Sequence, residues 1–163
     1  MSGIDTPDVP GESGGGSKPF TLTVRAANSG RYQPGSGWWS NEPWASNSND
    51  GIWVYGNRVK DAVGSGTVTS VDIYLPLIGE AGNASIGVHA YGSIPGGAPS
   101  ITSTVALPIG QRSGWRRLPS SFGPYLAGGN RGIGVDAPGG GYTRWRGTAA
   151  DSLSGALRIN GTR

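Results

Sequence analysis

Apolar and polar residues alternate with a period of two along most of the chain, as half-buried β-strands do. In "FTLTVRA", Phe20, Leu22 and Val24 share one face, and Thr21, Thr23 and Arg25 the other. "TVTSVDIYLPL" at 67–77 sets Val71, Ile73 and Leu75 against Asp72 and Tyr74. "ASIGVHAYG" at 84–92 aligns Ile86, Val88 and Ala90, and "RGIGVDA" at 131–137 turns Ile133 and Val135 inward. "IWVYGNRV" at 52–59, "ITSTVALP" at 101–108, "GWRRLP" at 114–119 and "YTRWRG" at 142–147 add further strands. "SLSGALRING" at 152–161 closes the series with Leu153, Leu157 and Ile159 on one side.

Gly, Pro, Asn and Ser fill every gap between these segments, so the chain reads as about eight or nine strands joined by turns. No convincing amphipathic helix is present, and "RVKDAVG" at 58–64 offers about one turn before Gly64. The expected fold is all-β: an antiparallel, jelly-roll-like β-sandwich, with a barrel as the rival arrangement. No internal repeat at a fixed period is visible. Residues 1–19 stand apart as an extended or flexible, acidic Gly/Pro-rich arm, and residues 20–163 form the sandwich domain.

Composition supports this division. The 31 glycines and 12 prolines suit short strands and many turns, while six Trp and six Tyr argue for a packed domain. There is no cysteine, so disulfides and thiolate metal sites are excluded. The net charge is +3, yet residues 1–17 carry Asp5, Asp8 and Glu12 and no base. The rest of the chain sets all 13 Lys and Arg against seven acids, a basic body behind an acidic arm. The start "MSGIDTPDVPGESGGGSKPF" lacks the basic and apolar regions of a signal peptide, and no window suits a membrane helix. A product made in the cytoplasm, without a membrane, is therefore expected.

Catalytic chemistry finds little support. The single histidine, His89, falls on the polar phase of its strand, which predicts a surface or rim position. No nucleophile elbow or orienting neighbour accompanies it. Beyond the arm the acids are Glu42, Asp50, Asp61, Asp72, Glu80, Asp136 and Asp151, and nothing in the sequence links any two as a glycosidase pair. One histidine without cysteine leaves no zinc pattern, "NSNDG" at 47–51 reads as a turn rather than a calcium loop, and "GGNRGIGV" lacks the helix that would make it a phosphate cradle. The expectation is a non-enzyme without metal or cofactor. "WRRL" and "RWRG" interleave Arg with Trp, but no RNA-binding motif accompanies them, and nucleic acid is not an expected partner.

Binding is better represented. Residues 37–59, "GWWSNEPWASNSNDGIWVYGNRV", hold four of the six tryptophans around a polar run. Trp53, within "GIWVYG", reads as core. Trp38, Trp39, Trp44 and Trp145 are candidates for a displayed aromatic surface that stacks on sugar rings or grips a partner protein. Adjacent strand residues face opposite ways, so one ring of the Trp38–Trp39 pair should be buried and the other exposed.

The ordered run Arg31-Tyr32, Gly37-Trp38-Trp39, Gly51-Ile52-Trp53-Val54-Tyr55-Gly56, Asp61-Ala62-Val63-Gly64 and Val68-Thr69-Ser70 resembles a domain of minor tail proteins and related virion proteins of tailed phages infecting actinobacteria. "HAYGSIPGGAPS" and "GWRRLPSSFGPYLAGGNRGIGV" continue the likeness, which covers roughly residues 28–160. The resemblance implies a structural protein of the virion such as a minor tail protein, and a free-standing sandwich behind a Gly/Pro-rich arm equally suits a head decoration protein or capsid fibre. It implies other virion proteins as partners and contact with the host surface, where the displayed tryptophans make cell-surface glycan the candidate ligand, and it carries over no catalytic residue. The arm, with Ile4, Asp5, Pro7, Asp8, Val9 and Pro10, would anchor the chain to the particle, and the displayed sandwich would form a homo-oligomer.

Overall fold

A computed structural model describes residues 17–163. The arm residues Ile4, Asp5, Pro7, Asp8, Val9 and Pro10 lie outside the described residues. The body is an all-β sandwich of thirteen strands with two one-turn helices. The strands are β1 (Pro19–Val24), β2 (Asn28–Gln33), β3 (Gly37–Ser40), β4 (Trp44–Ser46), β5 (Asp50–Val54), β6 (Thr67–Leu75) and β7 (Leu77–Gly79), followed by β8 (Ser85–His89), β9 (Thr102–Ala106), β10 (Gly114–Arg117), β11 (Gly132–Asp136), β12 (Tyr142–Trp145) and β13 (Leu157–Thr162). Helix α1 spans Arg58–Val63 and α2 spans Phe122–Leu126.

All ladders are antiparallel. They form a four-stranded sheet ordered β1-β13-β6-β10, a six-stranded sheet ordered β3-β2-β5-β11-β8-β9 and a three-stranded sheet ordered β4-β12-β7. Nine strands were legible from alternation, and the four others, β2, β3, β4 and β7, are short or polar. Pro76 splits the 67–77 run: it cannot donate to the ladder, so β6 ends at Leu75 and β7 joins a different sheet. The last expected strand begins only at Leu157, because residues 152–155 form a turn. Ala90 lies just past the end of β8 and is exposed rather than inward.

The core follows the alternation. Val71, Ile73 and Leu75 of β6 and Leu157 and Ile159 of β13 pack in one cluster with Trp53, Ile133, Val135, Ile86 and Val88 of the six-stranded sheet. Trp53 and Trp145 meet at its centre, edge to face, with ring centroids 5.9 Å apart. Both indole N–H groups are satisfied: Trp53 donates to Ser154 Oγ at 2.9 Å and Trp145 to the Arg112 carbonyl at 2.8 Å. Tyr55 donates its hydroxyl to the Gly155 carbonyl at 2.7 Å. Gly155 has φ +71, and a side chain there would overlap the Trp53 ring, so the turn before β13 has to be built on glycine.

The six-stranded sheet is covered on both faces, which explains the unbroken burial of residues 51–55. On the outer face the 90–101 loop lies across the strands. A side chain at Gly134 would meet Ile101, and one at Gly87 would meet Ile101 and Thr102. This cover corrects the position expected for His89. The residue does sit on the phase opposite Ile86 and Val88, but that phase is roofed and His89 is buried. Its Nε2–H donates to the Trp53 carbonyl at 2.8 Å, and Nδ1 accepts the Tyr91 N–H at 3.1 Å. Burial lowers its pKa to about 4, against a smaller upward pull from the Trp53 carbonyl. The imidazole is a neutral, fully bonded structural group.

Candidate functional site

The tryptophan-rich segment folds as β3, the edge strand of the six-stranded sheet, then β4, an edge strand of the three-stranded sheet, and β5 within the six-stranded sheet. β3 pairs with β2 across a bulge: Arg31 faces Ser40 and Tyr32 faces Trp38, which leaves Trp39 as the extra residue. Bulges re-aim side chains, and this one separates two neighbouring rings. Trp38 packs edge-on against Tyr32 at 5.4 Å and donates its indole N–H to the Gly97 carbonyl of the covering loop at 3.2 Å. Trp39 swings to the Arg31 side and remains 55% exposed. Trp38 is half-buried rather than fully buried, so the expected split between the two rings is one of degree.

Arg31 lies between two indoles. Its guanidinium carbon is 3.5 Å from the Trp39 ring centroid and 3.5 Å from that of Trp44. The side chain is nearly closed off, at 4% exposed, and its Nε and Nη1 have no hydrogen-bond partner. Burial lowers its pKa, partly offset by the negative field of Glu42. Trp44 is held in turn by donation to Glu42 Oε1 at 3.1 Å and by the edge of Tyr142 at 5.1 Å. Arg144 stands 5.6 Å from the Trp44 ring and 3.7 Å from Glu42. Cation–π contacts stabilise such stacks by about 0.5–2 kcal/mol each, more when water is excluded.

Beside the stack runs an open groove of about 410 Å³, lined by Asn28, Ser29, Gly30, Trp38, Trp39, Ser40, Asn41 and Ile94. That volume falls in the usual range of small-ligand sites. Its floor is tied down by Asn41, whose Nδ2 donates to Asn28 Oδ1, the Ser29 carbonyl and Thr148 Oγ1 at 3.2–3.3 Å. Asn41 Oδ1 accepts the Ala149 N–H at 2.8 Å, and the Ser29 hydroxyl donates to the Asn41 carbonyl at 2.7 Å.

Trp145 does not belong to this surface. It is completely buried against Trp53, because β12 turns that ring toward the core while Tyr142 and Arg144 face the stack. Of the four tryptophans proposed for display, the structure gathers Trp38, Trp39 and Trp44 and withdraws Trp145. Arg31 figures in the sequence only as part of the Arg31-Tyr32 motif and not as a site residue, since "NSGRYQ" carries no apolar alternation to mark a strand that would bring it under the rings.

A second cluster was also missed. Gly51 of β5 faces Val135 of β11, and one position further along this register Asp50 faces Asp136. The two acids share a cavity of about 250 Å³ with Ser46, Asn47, Ala137 and Pro138. Burial, and secondarily the Asp136 charge, raises the Asp50 pKa to about 6; burial also raises that of Asp136. Asp136 Oδ1 is buried without a partner. Like charges placed opposite each other on a sheet repel, so the pair favours holding one proton in mildly acidic solution. Only strand pairing reveals it, since the two residues stand far apart in sequence.

Comparisons with protein-family models, with curated proteins and with solved structures give no match to this chain.

Proposed function

We propose that the chain is a non-enzymatic structural protein of a tailed-phage virion, a minor tail protein or a head decoration protein, which displays its sandwich on the outside of the particle. The motif order from Arg31-Tyr32 to Val68-Thr69-Ser70 motivates this reading. The structural observation that supports it is the way the chain enters the sandwich. Lys18 and Arg163 exchange two backbone hydrogen bonds, at 2.7 and 2.9 Å, beside the outer strand of the four-stranded sheet. The acidic segment before Ser17 is therefore continuous with an edge strand of the body. Opposite net charges on segment and body favour contact between copies or with another virion protein.

Deleting residues 1–17 should leave a soluble, folded body that fails to enter particles, read by circular dichroism and by protein content of purified virions. Normal incorporation would overturn the anchoring role. A second reading, a carbohydrate-binding module contacting host cell-surface polysaccharide through tryptophans that the sequence reading set in loops and that lie on β3 and β4, is favoured by the solvent-facing ring of Trp39 beside the groove.

A further inference from the structure

We propose that Trp39 and the adjoining groove form a stacking site for a neutral sugar ring, with Arg31 as the residue that sets the platform; this rests on the glycan-contact reading. Arg31 lies against one face of the Trp39 indole at 3.5 Å, so the exposed area belongs to the opposite face and the ring edge. A flat aromatic face held in one plane is suited to the C–H face of a pyranose and needs little reordering on binding. Arg31 is itself held from behind by Trp44, which Glu42 and Tyr142 fix in place. The platform is thus built before any ligand arrives.

The groove decides the ligand's character. None of its eight lining residues is charged, and Arg31, the neighbouring cation, is closed off between two rings. A polyanion would find no accessible counter-charge, and a single-stranded nucleic acid would lack the basic track such ligands need. Four of the eight are Asn or Ser, so an apolar partner would strip water from polar groups without replacing it. A neutral polyol satisfies both conditions. Asn28 offers the clearest contact: its Oδ1 is occupied by the Ser29 N–H at 2.9 Å and Asn41 Nδ2 at 3.2 Å. Its own NH₂ makes no hydrogen bond among the described residues and is free to donate to a ring hydroxyl. Ser40 accepts the Glu42 N–H at 3.1 Å, which leaves its hydroxyl proton available. Ile94 adds an apolar side chain to the lining.

The test is native affinity electrophoresis of the full chain through gels holding soluble galactan, mannan, xylan or dextran as neutral polymers, with polygalacturonate and oligo(dT) as charged controls. Retardation by at least one neutral polymer and by neither control is expected. Trp39→Ala should weaken it about tenfold without changing the melting temperature by more than a few degrees, while Trp39→Tyr keeps most of it. Asn28→Ala should weaken it further in combination, and Arg31→Leu should reduce it although Arg31 touches no ligand. Retardation that survives Trp39→Ala would overturn this site while leaving glycan contact standing. Retardation by no neutral polymer would overturn both, and preference for polygalacturonate or oligo(dT) would overturn the neutral class.

Discussion

The molecule contains two assemblies of the same parts, an arginine with a pair of tryptophans, and they are held by opposite means. In the interior, Arg112 is 2% exposed and spends its donors on Leu107 O at 2.6 Å, Thr143 Oγ1 at 2.9 Å and Gly82 O at 2.7 Å. Its own carbonyl accepts Trp145, which packs on Trp53. At the sheet edge, Arg31 is nearly as enclosed yet makes contact through its two faces, with Nε and Nη1 unpaired. A buried donor left unpaired costs about 1–3 kcal/mol. The interior assembly is optimised for stability; the edge assembly retains an energetic cost and leaves one ring in water. Proteins carry such local costs where a surface has to be presented.

The contrast is sharpest under truncation. Trp53→Ala or Trp145→Ala should cost about 3–5 kcal/mol, enough to unfold a marginal domain, in chemical denaturation of the purified chain. An outcome below about 1 kcal/mol at either position would place the energetic centre of the fold elsewhere. Replacing the two arginines by leucine separates the assemblies further. Arg112→Leu strands three acceptors, Leu107 O, Gly82 O and Thr143 Oγ1, and should cost several kcal/mol. Arg31→Leu strands none, loses two cation–π contacts and relieves two unpaired donors, so its cost should be near 1 kcal/mol. Equal losses in the two variants would refute the distinction.

These assemblies also mark what the sequence could and could not disclose. The interior one was legible in part: alternation put Ile133, Val135, Leu157 and Ile159 inward, and "GIWVYG" identified Trp53 as core. Trp145 was misread because "YTRWRG" alternates charged and aromatic residues, and one period fits either orientation equally well. At the edge, the three tryptophans were visible but their support was not. Arg31 reaches them only through the bulge in the β2–β3 hairpin and through the crossing of β4 over Gly51, neither of which leaves a mark in the alternation of apolar residues. His89 shows the same limit, since its polar phase was read correctly and its roof comes from the 90–101 loop. Local pattern reports the face of a strand; it does not report what later covers that face.

Two titrating groups extend the comparison to pH. The Asp50 pKa is raised to about 6, so the folded state binds more protons than the unfolded chain, and stability falls as pH rises from about 4 to 6. The His89 pKa is lowered to about 4, so stability rises with pH from about 4 to 6.5. The two slopes oppose each other, and the intact chain should show a shallow profile across this window. Asp50→Asn removes its share of the falling limb, leaving that of Asp136, whose pKa burial also raises, and should steepen the rise while increasing stability at neutral pH. His89→Gln should expose the decline instead. Melting temperatures at pH 4, 5, 6 and 7 check both, and parallel profiles in all three proteins would show that neither group is linked to folding.

The smallest effect on stability is expected at Trp39. The ring is more than half exposed and stacks on Arg31, so Trp39→Ala forfeits one cation–π contact and little buried area. It also opens Arg31 to water, where the two unpaired nitrogens regain hydrogen bonds, an offset of the same order. The net change should lie within about 1 kcal/mol, or roughly 2–4 °C in melting temperature for a domain of this size. A larger drop would show that Trp39 closes the end of the core, as Trp53 and Trp145 fill its centre. A shift within that range, beside the collapse expected from Trp53→Ala, would mean that the edge ring is kept for what it touches outside the fold.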